Sequence, residues 1–343
     1  MFRNKKTLIT SLIVIALIVV TFVIQRPEFD VDQLNSENVI KHVSHLTSNV
    51  YTGRLTGSEG NLMAMRYVED YFSAIDLEPA GDAGGYQQAL SVLVPQVDPD
   101  SEFSIIDVDN RAITTFDIYR DYAPVFSPNG GPIKFLGDYV VLGSDAFRAD
   151  PELIKNKIAV VDATRITSKL VAHIMDVGGK GILCSSDTNA YSSLKTYERT
   201  KAMDVSGKGG ESIFVGYVSR DTYTALKKSE STTIRLNVSV TFPILETANL
   251  LAKLQGKSKN GETLILSANM DSLGEGLDGQ YFPGAVSSAT GVGILLETAR
   301  LTKESQALPY ETVIFAVWNG DNQGQVGVQY YIDNPIYPLE KTK

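Results

Sequence analysis

The chain has 343 residues, 43% of them hydrophobic, enough to bury at least one full core and room for two. Its formal net charge of -9 comes without a basic stripe, which argues against nucleic acid as a partner. The single cysteine, Cys184, excludes an internal disulfide framework and sits in an apolar run that reads as a buried thiol.

At the N-terminus, Arg3, Lys5 and Lys6 precede an uncharged run over 7–24, near the lower length limit for a membrane-spanning helix. The basic flank predicts a cytoplasmic N-terminus and an extracytoplasmic body. No small-residue cleavage site follows the run, so 1–26 reads as an uncleaved single-pass anchor in the cell membrane. Residues 35–46 predict a helix with Val39, Ile40, Val43 and Leu46 on its apolar face. His42 and His45 on that helix read as ordinary surface or partly buried histidines, since no further metal ligand stands near them. A Gly-rich loop over 51–61 leads into a second helix with Met63, Tyr67, Val68, Tyr71, Phe72 and Ile75 as its core stripe. The loop lacks the pattern of a phosphate-binding P-loop.

Between 122 and 235 the chain alternates strand and helix: strands around 157–162, 182–185 and 212–218, helices around 168–177 and 220–228. His173 falls on the first of these helices and reads as packed. The triplet Asn237-Val238-Ser239 matches a glycosylation acceptor, a pattern common by chance. From 240 onward come strands over 248–254, 262–268 and 312–318, with helices over 292–301 and 325–332. This alternation predicts an α/β fold, a mostly parallel sheet flanked by helices, with ligands beyond the carboxyl ends of its strands. Two polar clusters lie at such ends, Asn269-Met270-Asp271 and Gly320-Asp321-Asn322.

The stretch from 244 to 334 resembles the two-zinc aminopeptidases of metallopeptidase family 28. The resemblance rests on the Asn-Met-Asp after one strand, the loop Pro283-Gly284-Ala285-Val286-Ser287-Ser288-Ala289-Thr290-Gly291, and Asn319-Gly320-Asp321-Asn322-Gln323-Gly324 after the next. Gly53-Arg54-Leu55-Thr56-Gly57-Ser58 is similar to the loop that opens the family's peptidase domain. The middle segment looks like the protease-associated (PA) domain often inserted in this family. The resemblance implies a domain order of anchor (1–26), first part of the peptidase-like domain (29–121), PA-like insert (122–235) and second part (240–343).

It also implies which positions carry the chemistry. Asn269 stands where the family has a zinc-binding His, Ser287 where it has the bridging carboxylate, and Asn322 where it has a Glu ligand. Asp271 keeps the place of the His-orienting Asp, and Asp321 replaces the Glu general base. The family continues with a later Asp and a final His ligand; no histidine follows His173 here, and the resemblance ends part-way through the peptidase domain. Zinc needs imidazole, thiolate or carboxylate donors, and all three readable positions are neutral. The reading is therefore a pseudopeptidase with no catalytic constellation intact and no cofactor expected, which binds a peptide or protein ligand outside the cytoplasm. Two alternatives stand beside it: an active zinc aminopeptidase whose missing ligands come from elsewhere, and a gene fragment without a role. Asp271, Glu275, Asp278 and Asp321 read as a solvated acidic rim rather than a calcium loop.

Overall fold

The computed structural model describes residues 34–118, 120–125, 133–163, 166–185, 213–275, 281–305 and 308–343. The 7–24 segment lies outside them, and among the described residues no helix is long and apolar enough to cross a membrane. In chain order, helices α1 (Ser36–Leu46) and α2 (Glu59–Ala74) come first, then β1 (Glu78–Pro79), β2 (Gln87–Leu93) and β3 (Gln96–Val97). Next come β4 (Glu102–Ile106), β5 (Ala112–Phe116), β6 (Tyr122–Pro124), β7 (Ile133–Leu142), α3 (Pro151–Ile154) and β8 (Ile158–Val161). These lead to α4 (Ser168–Asp176), β9 (Gly181–Ser185), β10 (Phe214–Val218), α5 (Arg220–Lys228), β11 (Thr233–Val238) and β12 (Val240–Thr241). The remainder is β13 (Ile244–Leu254), β14 (Thr263–Asn269), β15 (Gly274–Glu275), β16 (Tyr281–Phe282), α6 (Thr290–Glu304), β17 (Thr312–Trp318) and α7 (Val326–Asp333).

The first sheet runs β1-β13-β17-β14, with β2 also paired to β13. Only β14 and β17 are parallel in it; β1, β2 and β17 all lie antiparallel to β13. The expected mostly parallel sheet is thus a mixed one. The 15-residue helix α6 between β14 and β17 is long enough for a crossover that returns the chain in the same direction. The short link from β13 to β14 carries no helix, and β14 runs opposite to β13 with β17 between them.

Every residue of β17 is buried. Val313, Phe315 and Val317 face a core built with α1, α2 and α6, whereas Ile314, Ala316 and Trp318 face Tyr331 of α7. A central strand covered on both faces has to be apolar throughout, which is why Thr312–Trp318 shows no alternation.

The second sheet has eight strands in the order β5-β4-β11-β7-β8-β9-β10-β6. It therefore begins at Glu102, upstream of the boundary expected at 122, because β4 pairs with β11 and β5 with β4. β8, β9 and β10 are buried on both sides, against α4 on one face and α5 on the other. The chain enters and leaves this sheet through the β3–β12 ribbon, Val97 opposite Val240 and Gln96 opposite Thr241. Cys184 is buried in β9, and burial pushes its thiol up to about 12, so it is inert.

Helix α1 packs against α6 through one buried carboxylate. Glu297 accepts hydrogen bonds from the Asn35 backbone, the Asn38 side chain and the Arg300 guanidinium. Asn35 is also the N-cap, its side chain accepting from the Glu37 amide. Ile40, expected on the apolar face, is 61% exposed, and the buried position next to it belongs to His42. His42 bonds Tyr67 at 2.6 Å and His45 bonds Tyr51 at 2.6 Å, so both imidazoles serve packing.

The Arg300 bond holds the Glu297 carboxyl below its ordinary value of 4.5. A depressed carboxyl stabilises the fold above the unfolded value, and that contribution is lost as pH falls through the folded one. Glu297→Gln is expected to cost about 1–2 kcal/mol near neutral pH, and less on acidification below about pH 4.5, in urea titrations run across that range.

Candidate functional site

β14 and β17 end level, Asn269 opposite Trp318, so the two polar clusters emerge side by side at the carboxyl edge. Met270 donates its backbone N–H to Trp318 O at 2.8 Å and continues the ladder one residue further. Asp271 then turns inward and is 2% exposed. Its Oδ1 accepts the Asp321 backbone N–H at 3.0 Å. Its Oδ2 accepts the Asn322 backbone N–H at 2.9 Å and the Asn322 Nδ2 at 2.7 Å. Burial pushes the Asp271 carboxyl up, while these three donors pull the other way. Ser288, not Ser287, joins the cluster, donating from its Oγ to Asp271 O at 2.9 Å.

Below these loops lies a residue whose importance the sequence reading missed. Arg54 is 0% exposed, and its guanidinium donates to four backbone carbonyls. Nε reaches Met270 O at 3.0 Å, Nη1 reaches Leu46 O and Pro283 O, and Nη2 reaches Gly284 O at 3.2 Å. One side chain thus gathers the end of α1, the loop after β14 and the turn before α6. Burial lowers the guanidinium to about 10, opposed by the field of Asp271, so it stays charged. Thr52, Gly53 and Arg54 all have positive φ. At Gly53 a Cβ would lie 2.6 Å from Gly274 O, so the hairpin β15–β16 can close only over glycine. The flanking Gly-Arg pair was the available signal, though nothing in it announces four carbonyl partners.

Behind the site, a chain of buried amides ties strand ends together. Asn61 Nδ2 donates to Asn319 Oδ1 at 2.8 Å, and Asn319 Nδ2 donates to Ala248 O. Asn249 Nδ2 donates to Gln88 Oε1 and Gly327 O. These amides hold the start of α7 beneath the Gly320 turn, and Thr56 Oγ1 bonds Gln323 Oε1 at 2.6 Å. The sequence reading missed this set too, because single asparagines carry no periodic signal.

The remaining expected positions fall as follows. Asn269 is half-buried at the end of β14, and Ser287 is exposed in the turn before α6, beside Val286. Asp321 is half-buried and Asn322 buried, so the fold does bring Asp271, Asp321 and Asn322 together. Glu275 is exposed, and Asp278 lies outside the described residues. Among the described residues, no three His, Cys, Asp or Glu side chains converge as a metal site.

This donor set does not fit zinc. The positions that would face the ion offer two amides and a hydroxyl, which are poor donors for it. The nearby buried carboxylate of Asp271 spends both oxygens on N–H groups. His173 lies in the other sheet's helix α4 against Phe147, ring centroids 5.1 Å apart.

The mixed sheet, its flanking helices and the loop cluster at the carboxyl ends define a mixed α/β fold. Residues 249–343 match the model of Peptidase family M28. An aminopeptidase of Pseudomonas aeruginosa is 30% identical over 146 residues, 40% of this chain and 25% of the relative. Transferrin receptor protein 1 of Gallus gallus is 26% identical over 111 residues, 31% of this chain and 13% of the receptor. The matched part thus spans a quarter or less of either relative. Among solved structures, BSAP, a zinc aminopeptidase from Bacillus subtilis, superposes with a TM-score of 0.62 at 14% identity, covering 92% of this chain and 68% of that one. A Peptidase M28 precursor from Shewanella amazonensis gives 0.60 at 19% identity, covering 90% and 70%. These superpositions establish the fold.

Removing Arg54 leaves four carbonyls without their donor. Arg54→Ala is expected to cost at least about 3 kcal/mol, and Arg54→Lys to recover only part of it, because an ammonium lacks the planar fork. Urea midpoints of the two variants check this, and an unchanged midpoint in Arg54→Ala refutes it.

Proposed function

We propose that this chain is a catalytically inactive homologue of the zinc aminopeptidases that binds peptide or protein ligands. The single observation that carries the reading is the state of Asp271. Both of its oxygens accept from Asp321 and Asn322 N–H groups, while the neighbouring ligand positions hold Asn269, Ser287 and Asn322. Without a dication nothing lowers the pKa of an attacking water towards neutrality, so Asp321 has no activated nucleophile to make. What persists is a preorganised edge of loops, with Val286 90% exposed beside polar groups, suited to contact rather than chemistry. A receptor among the relatives supports the idea that this architecture serves binding as well as cleavage.

We place the protein at the cell membrane, held by the 7–24 segment with its body extracytoplasmic, on the strength of Arg3, Lys5 and Lys6. The eight-stranded sheet takes the part of a PA-like module contributing to partner contact. The resemblance to an aminopeptidase over 146 residues favours a second reading, an active zinc enzyme with donors supplied from elsewhere.

Zinc separates the two. A native state that binds zinc gains about 2.7 kcal/mol when the ion is a hundredfold above its dissociation constant. The expected result is a cooperative melt indifferent to zinc and to chelator, no stoichiometric heat in calorimetry, and no cleavage of aminoacyl anilides. A zinc-raised Tm with anilide turnover establishes the enzyme instead, and the absence of any cooperative melt points to a fragment.

A further inference from the structure

The most constrained group at the site is Asn322. Its residue is 8% exposed, its Nδ2 donates to Asp271 Oδ2 at 2.7 Å, and its buried Oδ1 has no hydrogen-bond partner among the described residues. Asp271 Oδ2 accepts the Asn322 backbone N–H and its amide N–H together, so the amide nitrogen faces Asp271 and the amide oxygen lies away. A buried acceptor left unsatisfied is a cost, so packing alone does not explain why an amide stands here. Turning the donor end towards a buried anion does.

The charged groups around Asp271 sharpen the point. Arg54 faces it from the 51–57 loop, but spends its N–H groups on Met270, Leu46, Pro283 and Gly284 carbonyls. Asp321, on the opposite loop, adds a second negative charge nearby. The hydrogen bonds to the Asp271 carboxylate thus come from the loop after β17: two backbone N–H groups and the Asn322 amide. Charge-assisted bonds of this kind are the strong ones.

We infer that Asn322 is a positioning residue that replaces a bound cation: its carboxamide, with the two backbone N–H groups, holds the buried Asp271 and locks the loops after β14 and β17 together without metal. This rests on the metal-free reading above. It gives Asn322 a reason that its substitution for a metal-binding carboxylate does not by itself supply. A carboxylate at 322 would set a second acceptor against Asp271, so one of the two would have to hold a proton, whereas the amide supplies a donor directly.

The test compares Asn322→Ala and Asn322→Asp with the unaltered full chain, purified in detergent, by thermal melting near neutral pH in chelator and in zinc. If Asn322 only fills space, the isosteric Asp is the milder change. If it balances Asp271, Asp is the worse one. We expect Asn322→Ala to lose roughly 5 °C and Asn322→Asp clearly more, with the unaltered chain indifferent to zinc. In the Asp271→Ala background the loss from Asn322→Ala should vanish, because the acceptor has gone.

Asn322→Asp melting at or above Asn322→Ala, with no zinc response in the unaltered chain, overturns the role of Asn322 alone. A zinc-raised melt of the unaltered chain overturns the metal-free reading beneath it. Failure of Asn322→Asp to fold while Asn322→Ala folds is the expected rank in its extreme form. Should neither fold, Asn322→Ser is compared with Asn322→Cys, which has nearly the same size but a weak donor; Ser above Cys is the supporting result and the reverse order refutes it.

Discussion

One buried cation sets the geometry on which the site depends. Arg54 is fully buried and, among the described residues, has no direct carboxylate partner; it is held by four carbonyl oxygens from three separate segments. Each such bond to a charged group contributes roughly 1.5–3 kcal/mol, against a desolvation penalty of several kcal/mol for the ion. The net stabilisation is modest. The geometric consequence is large, because a planar fork accepts only one arrangement of its acceptors. Leu46, Met270, Pro283 and Gly284 are thereby fixed relative to one another, and with them the direction in which Asp271 points.

That framework explains how the loops keep their places although the side chains at 269, 287 and 322 are neutral. Placement of the loops here comes from elements that involve no metal: the Arg54 fork, the amide chain of Asn61, Asn319 and Asn249, and the level ends of β14 and β17. The buried amides satisfy strand-end groups that would otherwise lie unpaired next to a fully buried strand. Changes at the exposed loop positions can therefore leave what holds the edge open undisturbed. Fold and chemistry are separable here because different residues carry them.

The eight-stranded sheet follows a parallel logic. Its strands β8, β9 and β10 are covered on both faces, so it owns two cores and does not borrow apolar surface from the first sheet. The β3–β12 ribbon then needs only to pair the entering and leaving strands. A sheet with its own cores attached through a paired neck adds little strain to the sheet it is joined to.

Much of this was legible in the sequence. The helices at 36–46, 59–74 and 290–304 and the runs at 158–161 and 312–318 show their period or their length directly, since local burial imposes both. The neutral replacements at Asn269, Ser287 and Asn322 are visible once the motif is lined up, because donor chemistry is a property of residue type. Strand direction was not legible. Whether β13 runs with or against β17 depends on which strand comes to lie between it and β14, and no local pattern records that. The start of the second sheet at Glu102 was hidden for the same reason, since it is set by pairing to β11 more than a hundred residues later. Arg54, Glu297 and the amides were hidden more deeply. A polar side chain reads as surface until the fold brings its partners from distant segments, and only then does burial convert it from a solvated group into one that fixes structure. The sequence by itself determined most of the elements and the neutral residue types at 269, 287 and 322; the tertiary structure alone decided which polar groups became interior, because burial is a property of the assembled chain.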